Sequence, residues 1–369
     1  MKRLADPNVL ACAAQVGNAL KAQKEQPAME YGAIDLHARH SLIRIVDVDG
    51  RVMLDQRIAT TAEAFQRVFA GRALVRVLVE TGTDSEWVAT VVEGCGSTVI
   101  VVDPNYALMY GHRQRRIKTD RRDVAALAEA CRLGIYRAAH RVSAAQRERR
   151  RRLRVREQLV RMRTQAINLL RAQLRQEGYR LGSGSAESVP TRYARVAVPA
   201  GLQAALQPIL DLLTQLQPVR ARLDAEMATA AAADPVVRRL MTAPGVGPIT
   251  AFSFRATVDD VSRFRDASSA AAFFGLVPYE DSSGERQRRG RITKAGPSGP
   301  RSLLIQAAWV VWRYRGTAGG ALQTWVQCLA DRRGKRIAVV ALARRLTRIL
   351  YAMWRDDTVY TVTPARVAA

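Results

Sequence analysis

The stretch YGAIDLHARHSLIRIVDVDGRVMLDQRI, Tyr31–Ile58, sets the period of the first half of the chain. Short runs rich in Ile, Val and Leu recur, and Asp49-Gly50 separates two of them. β-Branched runs broken by Asp-Gly read as strands joined by a tight turn. YGAIDLH, SLIRIVDV and RVMLDQRI are therefore expected as three strands. Downstream the pattern alternates. TAEAFQRVFAG reads as a helix, ALVRVLVE (73–80) as a buried strand, and a helix follows near 84–94. STVIVVD (97–103) is another buried strand, and a helix begins near Thr119. Hairpin strands followed by strand–helix alternation predict a mixed α/β sheet domain over 30–140.

Outward from that domain the composition shifts. Residues 1–29 read as a short, partly helical extension without a site signal. Residues 141–180 hold 13 Arg and 3 Glu, with Leu, Val, Met and Ile at helical spacing. That is one long basic amphipathic helix. GSGSAES (182–188) breaks it, and LQAALQPILDLLTQLQPVRARL (202–223) is helical again. The two are expected as a long helical hairpin of coiled-coil character over 141–235. From 236 to 356 the chain reads as a mostly helical domain: MTAPGVGPITA is helix, glycine turn, helix, and RSLLIQAAWVVWRY and RIAVVALARRLTRILYAMWRD are strong helices. A tail covers 357–369.

A chain of 369 residues with 48% hydrophobic residues has enough material for two or three cores. No apolar run approaches the roughly 18–20 residues of a membrane helix, and MKRLADPNVLACAAQ does not read as a signal peptide. Cys12, Cys95, Cys131 and Cys328 are far apart and form no CxxC pair, which fits a reduced cytoplasm and excludes a zinc ribbon. The net charge of +25 points to a polyanionic partner, nucleic acid above all.

Four acids are candidates for chemistry. Asp35 stands inside an apolar strand, where a carboxylate is costly unless paired or bound to a cation. Glu80 ends the buried strand LVRVLVE. Asp120 and Asp123, in IKTDRRDVAALAEA, are three apart at a helix start and lie on nearly one face. Oxygen ligands from two strand ends and one helix suit Mg²⁺ or Mn²⁺. Arg115, Arg116, Lys118, Arg121 and Arg122 around the pair would draw in a phosphate backbone. Asp84, Glu86 and Asp103 are rival acids that spacing leaves open.

A second motif is DSSGERQRRGRITKAG, Asp281–Gly296. Ser282 and Ser283 precede Arg286, Arg288, Arg289, Arg291 and Lys294. A hydroxyl there either contacts phosphate or attacks it, and the residues do not separate the two serines. Attack by a protein hydroxyl conserves the phosphodiester as a phosphoserine ester, which suits cutting and rejoining. Further candidates for backbone contact are Arg149, Arg150, Arg151, Arg152 and Arg154 of the basic helix, and Gly245 and Gly247 of the turn in PGVGPITA.

Taken together, GAIDLH, VLVETGT, VDPNYA with KTDRRDVAALAEA, PGVGPITA, FFGLVPYEDSSGERQRRGRITKAG and ALARRLTRILYAM resemble the transposases of the insertion-sequence one-ten family. That family includes an eleven-eleven branch and the Piv-type invertases. The resemblance implies a RuvC-like, ribonuclease-H-type domain whose Asp-Glu-Asp-Asp set is Asp35, Glu80, Asp120 and Asp123, holding Mg²⁺ or Mn²⁺. It implies a coiled-coil segment and a transposase domain whose nucleophile is Ser283. It also implies double-stranded DNA of element and target as substrates, and a structured noncoding bridge RNA as guide. Homo-oligomers are implied too, dimers assembling into a tetramer, in a bacterial cytoplasm at the nucleoid. Two rival readings use the same residues: a RuvC-like junction nuclease with water as nucleophile, and a non-catalytic nucleic-acid-binding protein.

Overall fold

The computed structural model describes residues 29–72, 75–110, 119–283, 286–313 and 320–361, with the backbone alone for 281–283 and 286–289. Residues 1–28 of the extension expected over 1–29, and 362–369 of the tail expected over 357–369, lie outside the described residues. The chain forms two compact units, Met1–Arg141 and Val142–Ala369.

The first unit is built on a five-stranded sheet in the order β3-β2-β1-β4-β5. Its strands are β1 (Glu30–Asp35), β2 (His40–Val46), β3 (Val52–Ala59), β4 (Val75–Glu80) and β5 (Thr98–Val102). β1, β4 and β5 run parallel, and β2 and β3 are antiparallel additions. The turn at Asp49-Gly50 has a local cause: the Asp47 carboxylate accepts from the backbone N–H of Asp49 at 2.9 Å and of Arg51 at 2.8 Å.

Alternation along the strands feeds two cores. Ile34, Ile43, Val77 and Val79 face α1 (Ala62–Phe69) and α2 (Ser85–Glu93), burying Phe65, Phe69 and Val88. Each such phenylalanine contributes about 1.5–3 kcal/mol by leaving water. Ala33, Leu42, Leu78 and Val102 face α3 (Asp120–Leu133), packing on Val124, Leu127, Ala128 and Cys131. Burial on both faces is why β1 and β4 are nearly continuous apolar runs. It also fixes where the acids go. Asp35 shares the face of Ala33, and Glu80 that of Leu78, so both belong to the α3 side.

In the second unit, α4 (Ala144–Gln176) and α6 (Ala200–Ala233) pack side by side through Ile167, Leu170, Leu174, Leu206, Leu210 and Leu213. At 33 residues α4 is about 50 Å long. The short α5 (Val189–Tyr193) lies between them in sequence and adds Val189 and Tyr193 to that core. A larger core gathers α7 (Pro235–Leu240), α8 (Pro248–Val258), α9 (Ala267–Phe273), α10 (Ser298–Arg313), α11 (Gly320–Arg333) and α12 (Lys335–Arg355). α12 presents one wide apolar stripe to that core, with Leu342, Leu346 and Leu350 fully buried.

Residues 278–292, for which the sequence reading named no element, form a β-hairpin, β6 (Pro278–Ser283) against β7 (Arg286–Ile292). These strands carry almost no apolar residues, so no hydrophobic period announced them.

Candidate metal and nucleic-acid site

The acid site forms where β1 ends and α3 begins. Thr119 caps α3, its hydroxyl accepting from the Arg122 N–H at 3.4 Å, and this places Asp120 and Asp123 in the first turn. The Asp35 carboxylate lies beside them. His37 Nε2 stands 3.3 Å from Asp35 Oδ2 and 3.4 Å from Asp120 Oδ2. Among the described residues, these three offer ligand atoms all within 4.8 Å of one another. Burial pushes the Asp35 carboxyl above its usual range; Asp120 and Asp123 push it further, and His37 pulls the other way. An excess of negative charge in a partly desolvated corner suits a divalent cation.

The sequence reading named no histidine in this cluster; His37 stands there beside Asp35 and Asp120. His37 lies two residues beyond Asp35, past the end of β1. Glu80 ends the strand next to β1, one residue beyond the paired Ile34 and Val79. Its carboxylate accepts a hydrogen bond from the Tyr110 hydroxyl. Glu80 and Asp123 stand outside the three-residue group.

The rival acids are engaged elsewhere. Asp84 accepts from the Trp87 indole N–H at 3.3 Å. Glu86 is paired with Arg141 at 3.1 Å. Asp103 is held below the usual carboxylate range by a hydrogen bond from Arg137 and another from the Asn105 N–H.

A groove of about 670 Å³ adjoins the cluster, lined by His37, Arg39, His40, Arg57, Asp120 and Arg121 among others. Arg39, Arg57 and Arg121 are exposed. Arg121 and Arg122 also sit in the first turn of α3, where the helix dipole disfavours cations, so helix stability does not explain them. Arg115, Arg116 and Lys118 lie outside the described residues.

The hairpin carries the serines on its backbone. Ser283 pairs with Arg286 and Ser282 with Gln287. Its base is locked to the helical core. Gly275 and Gly296 both have positive φ, 66° and 84°. A Cβ on Gly275 would meet the Ala295 carbonyl at 2.1 Å, and one on Gly296 the Phe273 carbonyl at 2.0 Å. The glycines of FFG and KAG are therefore needed for close backbone approach. Arg301 reinforces the join, donating to the carbonyls of Phe274 at 3.2 Å and Lys294 at 3.1 Å. Arg291 and Lys294 are exposed beyond it.

Two family models match the chain. One, a DEDD-type IS110 model described as "Transposase", matches residues 33–178, and the other, "Transposase IS116/IS110/IS902 family", matches residues 237–321. A "Probable family 20 transposase" of Pseudomonas aeruginosa is 32% identical over 72% of this chain and 79% of its own length. The chain belongs to the IS110/IS116/IS902 transposases. Further relatives are the transposases for insertion sequence elements IS1111A of Coxiella burnetii and IS1328 of Yersinia enterocolitica. The first is 29% identical over 85% of this chain and 86% of its own. The second is 31% identical over 56% and 63%. The transposase is thus an insertion-sequence enzyme acting on DNA, with a DEDD-type domain. Among its described residues no helix is long and apolar enough to cross a membrane.

Not every arginine of the transposase's basic helix faces outward. Arg149 is paired with Asp234 at 2.6 Å and lies over the Phe252 ring. Burial alone would raise the Asp234 carboxyl; the Arg149 hydrogen bond and the N–H of Val237 outweigh it and hold it low. Arg150 donates to the carbonyls of Ala256 and Thr257, both at 2.8 Å. These two join α4 to its own unit. Arg151, Arg152 and Arg154 are exposed, the first two leaning on Glu148. Gly245 likewise has a packing role: at φ 75° its missing Cβ would lie 2.4 Å from the Ala307 carbonyl of α10. Gly247 caps the N-terminus of α8 and is exposed.

Proposed function

We propose that the transposase cuts and rejoins element and target DNA through a covalent phosphoserine intermediate on Ser283, assisted by a divalent cation at Asp35, Glu80, Asp120 and Asp123. The observation that carries this reading is the convergence of Asp35 and Asp120 from separate elements beside a groove lined by exposed arginines. The strand order β3-β2-β1-β4-β5, with Asp35 and Glu80 at adjacent parallel strand ends, supports a RuvC-like, ribonuclease-H-type domain.

Asp35 and Asp120 would hold Mg²⁺ or Mn²⁺, with Glu80 and Asp123 completing the set. The bound ion supplies charge stabilisation at the reacting phosphate. Arg39, Arg57 and Arg121 grip the neighbouring backbone phosphates. In the covalent step a new bond forms between Ser283 Oγ and phosphorus, and the bond from phosphorus to the departing nucleotide oxygen breaks. The serine proton is given up and the departing oxygen gains one. Rejoining is the same exchange in reverse, with the hydroxyl of a new strand end displacing Ser283. No hydrolysis occurs, so no external energy source is needed. Arg286, Arg288, Arg289, Arg291 and Lys294 balance the charge that develops on the phosphate oxygens.

A structured noncoding bridge RNA guides the reaction in this reading, and Arg151, Arg152 and Arg154 contact nucleic-acid backbone along α4. The net charge of +25 supports a polyanionic partner. Homo-oligomers, dimers pairing into a tetramer, allow acids and serine to come from different protomers. The test compares Ser283→Ala with Asp120→Asn using the element's own ends. Loss of joined product in both supports the mechanism. Undiminished joining in Ser283→Ala would mean that water or another group attacks.

A further inference from the structure

Resting on the reading of Asp35 and Asp120 as cation ligands, we infer that His37 is a third protein ligand of that ion and makes the site select Mn²⁺ over Mg²⁺. The geometry is that of coordination. Adjacent ligands at bond lengths of about 2.0–2.2 Å stand roughly 3.0–3.4 Å apart. His37 Nε2 is 3.3 Å from Asp35 Oδ2 and 3.4 Å from Asp120 Oδ2. A charge-assisted hydrogen bond between the same groups would close to about 2.7–2.9 Å. The imidazole thus lies in contact with both acids, at a spacing that also admits one ion held by all three.

The placement follows from the chain. His37 lies two residues past the end of β1, with its ring beside Asp120 in the first turn of α3. The His37 carbonyl accepts from the Thr60 hydroxyl at 2.8 Å, which ties the loop after β1 to the end of β3 and fixes the direction of the backbone. The ring itself is half exposed, so no packing demand explains its position. Carboxylates alone serve Mg²⁺ and Mn²⁺ alike, whereas an imidazole nitrogen is taken up by first-row transition ions more readily than by the hard, oxygen-bound Mg²⁺. The mixed set of two carboxylates and one imidazole therefore moves the preference toward Mn²⁺. His40 lines the same groove and is the natural control.

The experiment uses the full-length transposase, stripped of metal and titrated with Mn²⁺, with electron spin-echo envelope modulation as readout. Nitrogen modulation is expected from the bound Mn²⁺ of the unaltered protein and of His40→Ala. In His37→Ala it disappears, Mn²⁺ binding weakens about 10–100-fold, and the Mn²⁺-over-Mg²⁺ preference narrows about tenfold. The anchoring bond from Thr60 is to the backbone and survives the substitution. Nitrogen modulation that is absent from the unaltered protein, persists in His37→Ala or vanishes in His40→Ala overturns the inference. Mn²⁺ binding that survives Asp35→Asn combined with Asp120→Asn overturns instead the cation site on which it rests.

Discussion

Replacing Gly275 by Ala tests how the serine hairpin is held. Two costs add. At φ 66° an L side chain is strained by roughly 1–2 kcal/mol. The new Cβ would also lie 2.1 Å from the Ala295 carbonyl oxygen and 2.8 Å from the Ala295 nitrogen. Both neighbours are backbone atoms, so no rotamer change relieves the overlap. The hairpin base must shift instead, and with it go the Lys294 N–H bond to Gly275 at 3.2 Å and the Arg301 bonds to the same turn. At about 0.5–1.5 kcal/mol for each hydrogen bond weakened, the total reaches roughly 3–5 kcal/mol. Gly178→Ala isolates the first cost, because Gly178 has φ 81° and nothing within 4 Å of its added Cβ. Urea unfolding followed by tryptophan fluorescence reads both, since Trp309, Trp312, Trp325 and Trp354 all lie in the second unit. Gly178→Ala is expected to lose about 1–2 kcal/mol, with faster amide exchange in β6 and β7 confined to Gly275→Ala. Equal losses in the two variants, or unchanged exchange in the hairpin, would refute the reasoning.

Asp35→Asn separates stability from chemistry. The Asp35 carboxyl is raised in the fold, so its ionised form destabilises; that penalty is absent below the unfolded value near 3.9 and complete above the raised one. Metal-free Asp35→Asn should therefore melt no lower than the unaltered protein at pH 7, the difference shrinking as pH falls toward 4, while divalent-metal affinity drops at least about 100-fold. A lower metal-free melting temperature at pH 7 contradicts this. Burial pushes the Cys131 thiol up to about 12, whereas Cys328 is exposed. Peptide-resolved alkylation of the native protein at pH 8 should modify Cys328 about 10³-fold faster; comparable rates would mean that the α3 face opens readily.

The sheet domain was legible because its inner strands β1 and β4 are apolar on both faces and its helices keep their own period. Phe65 and Phe69 mark α1, and Val124, Leu127, Ala128 and Cys131 mark α3. The long helices were legible for the same reason, with Leu170 and Leu213 on their contact faces. The hairpin was not. Its register rests on backbone pairing and on the fit of Gly275 against Ala295, neither of which leaves a hydrophobic pattern. At the acid site, Asp35 was conspicuous as a carboxylate among apolar neighbours. His37 was hidden in a polar loop, and its meeting with Asp120 depends on packing between β1 and α3. Composition marked a basic helix but not its orientation, so Arg149 and Arg150 read like Arg151 and Arg152 although they bind Asp234 and two backbone carbonyls.

The central claim is that Ser283 becomes covalently joined to DNA in a reaction that the acid site assists. Its most direct measurement is to trap the protein–DNA product formed on the element's own ends, digest both polymers, and locate the residual nucleotide by mass spectrometry. The account predicts a phosphodiester-linked nucleotide on Ser283, missing from Ser283→Ala and strongly reduced in Asp35→Asn. A nucleotide on any other residue, or joined DNA formed by Ser283→Ala, would contradict it.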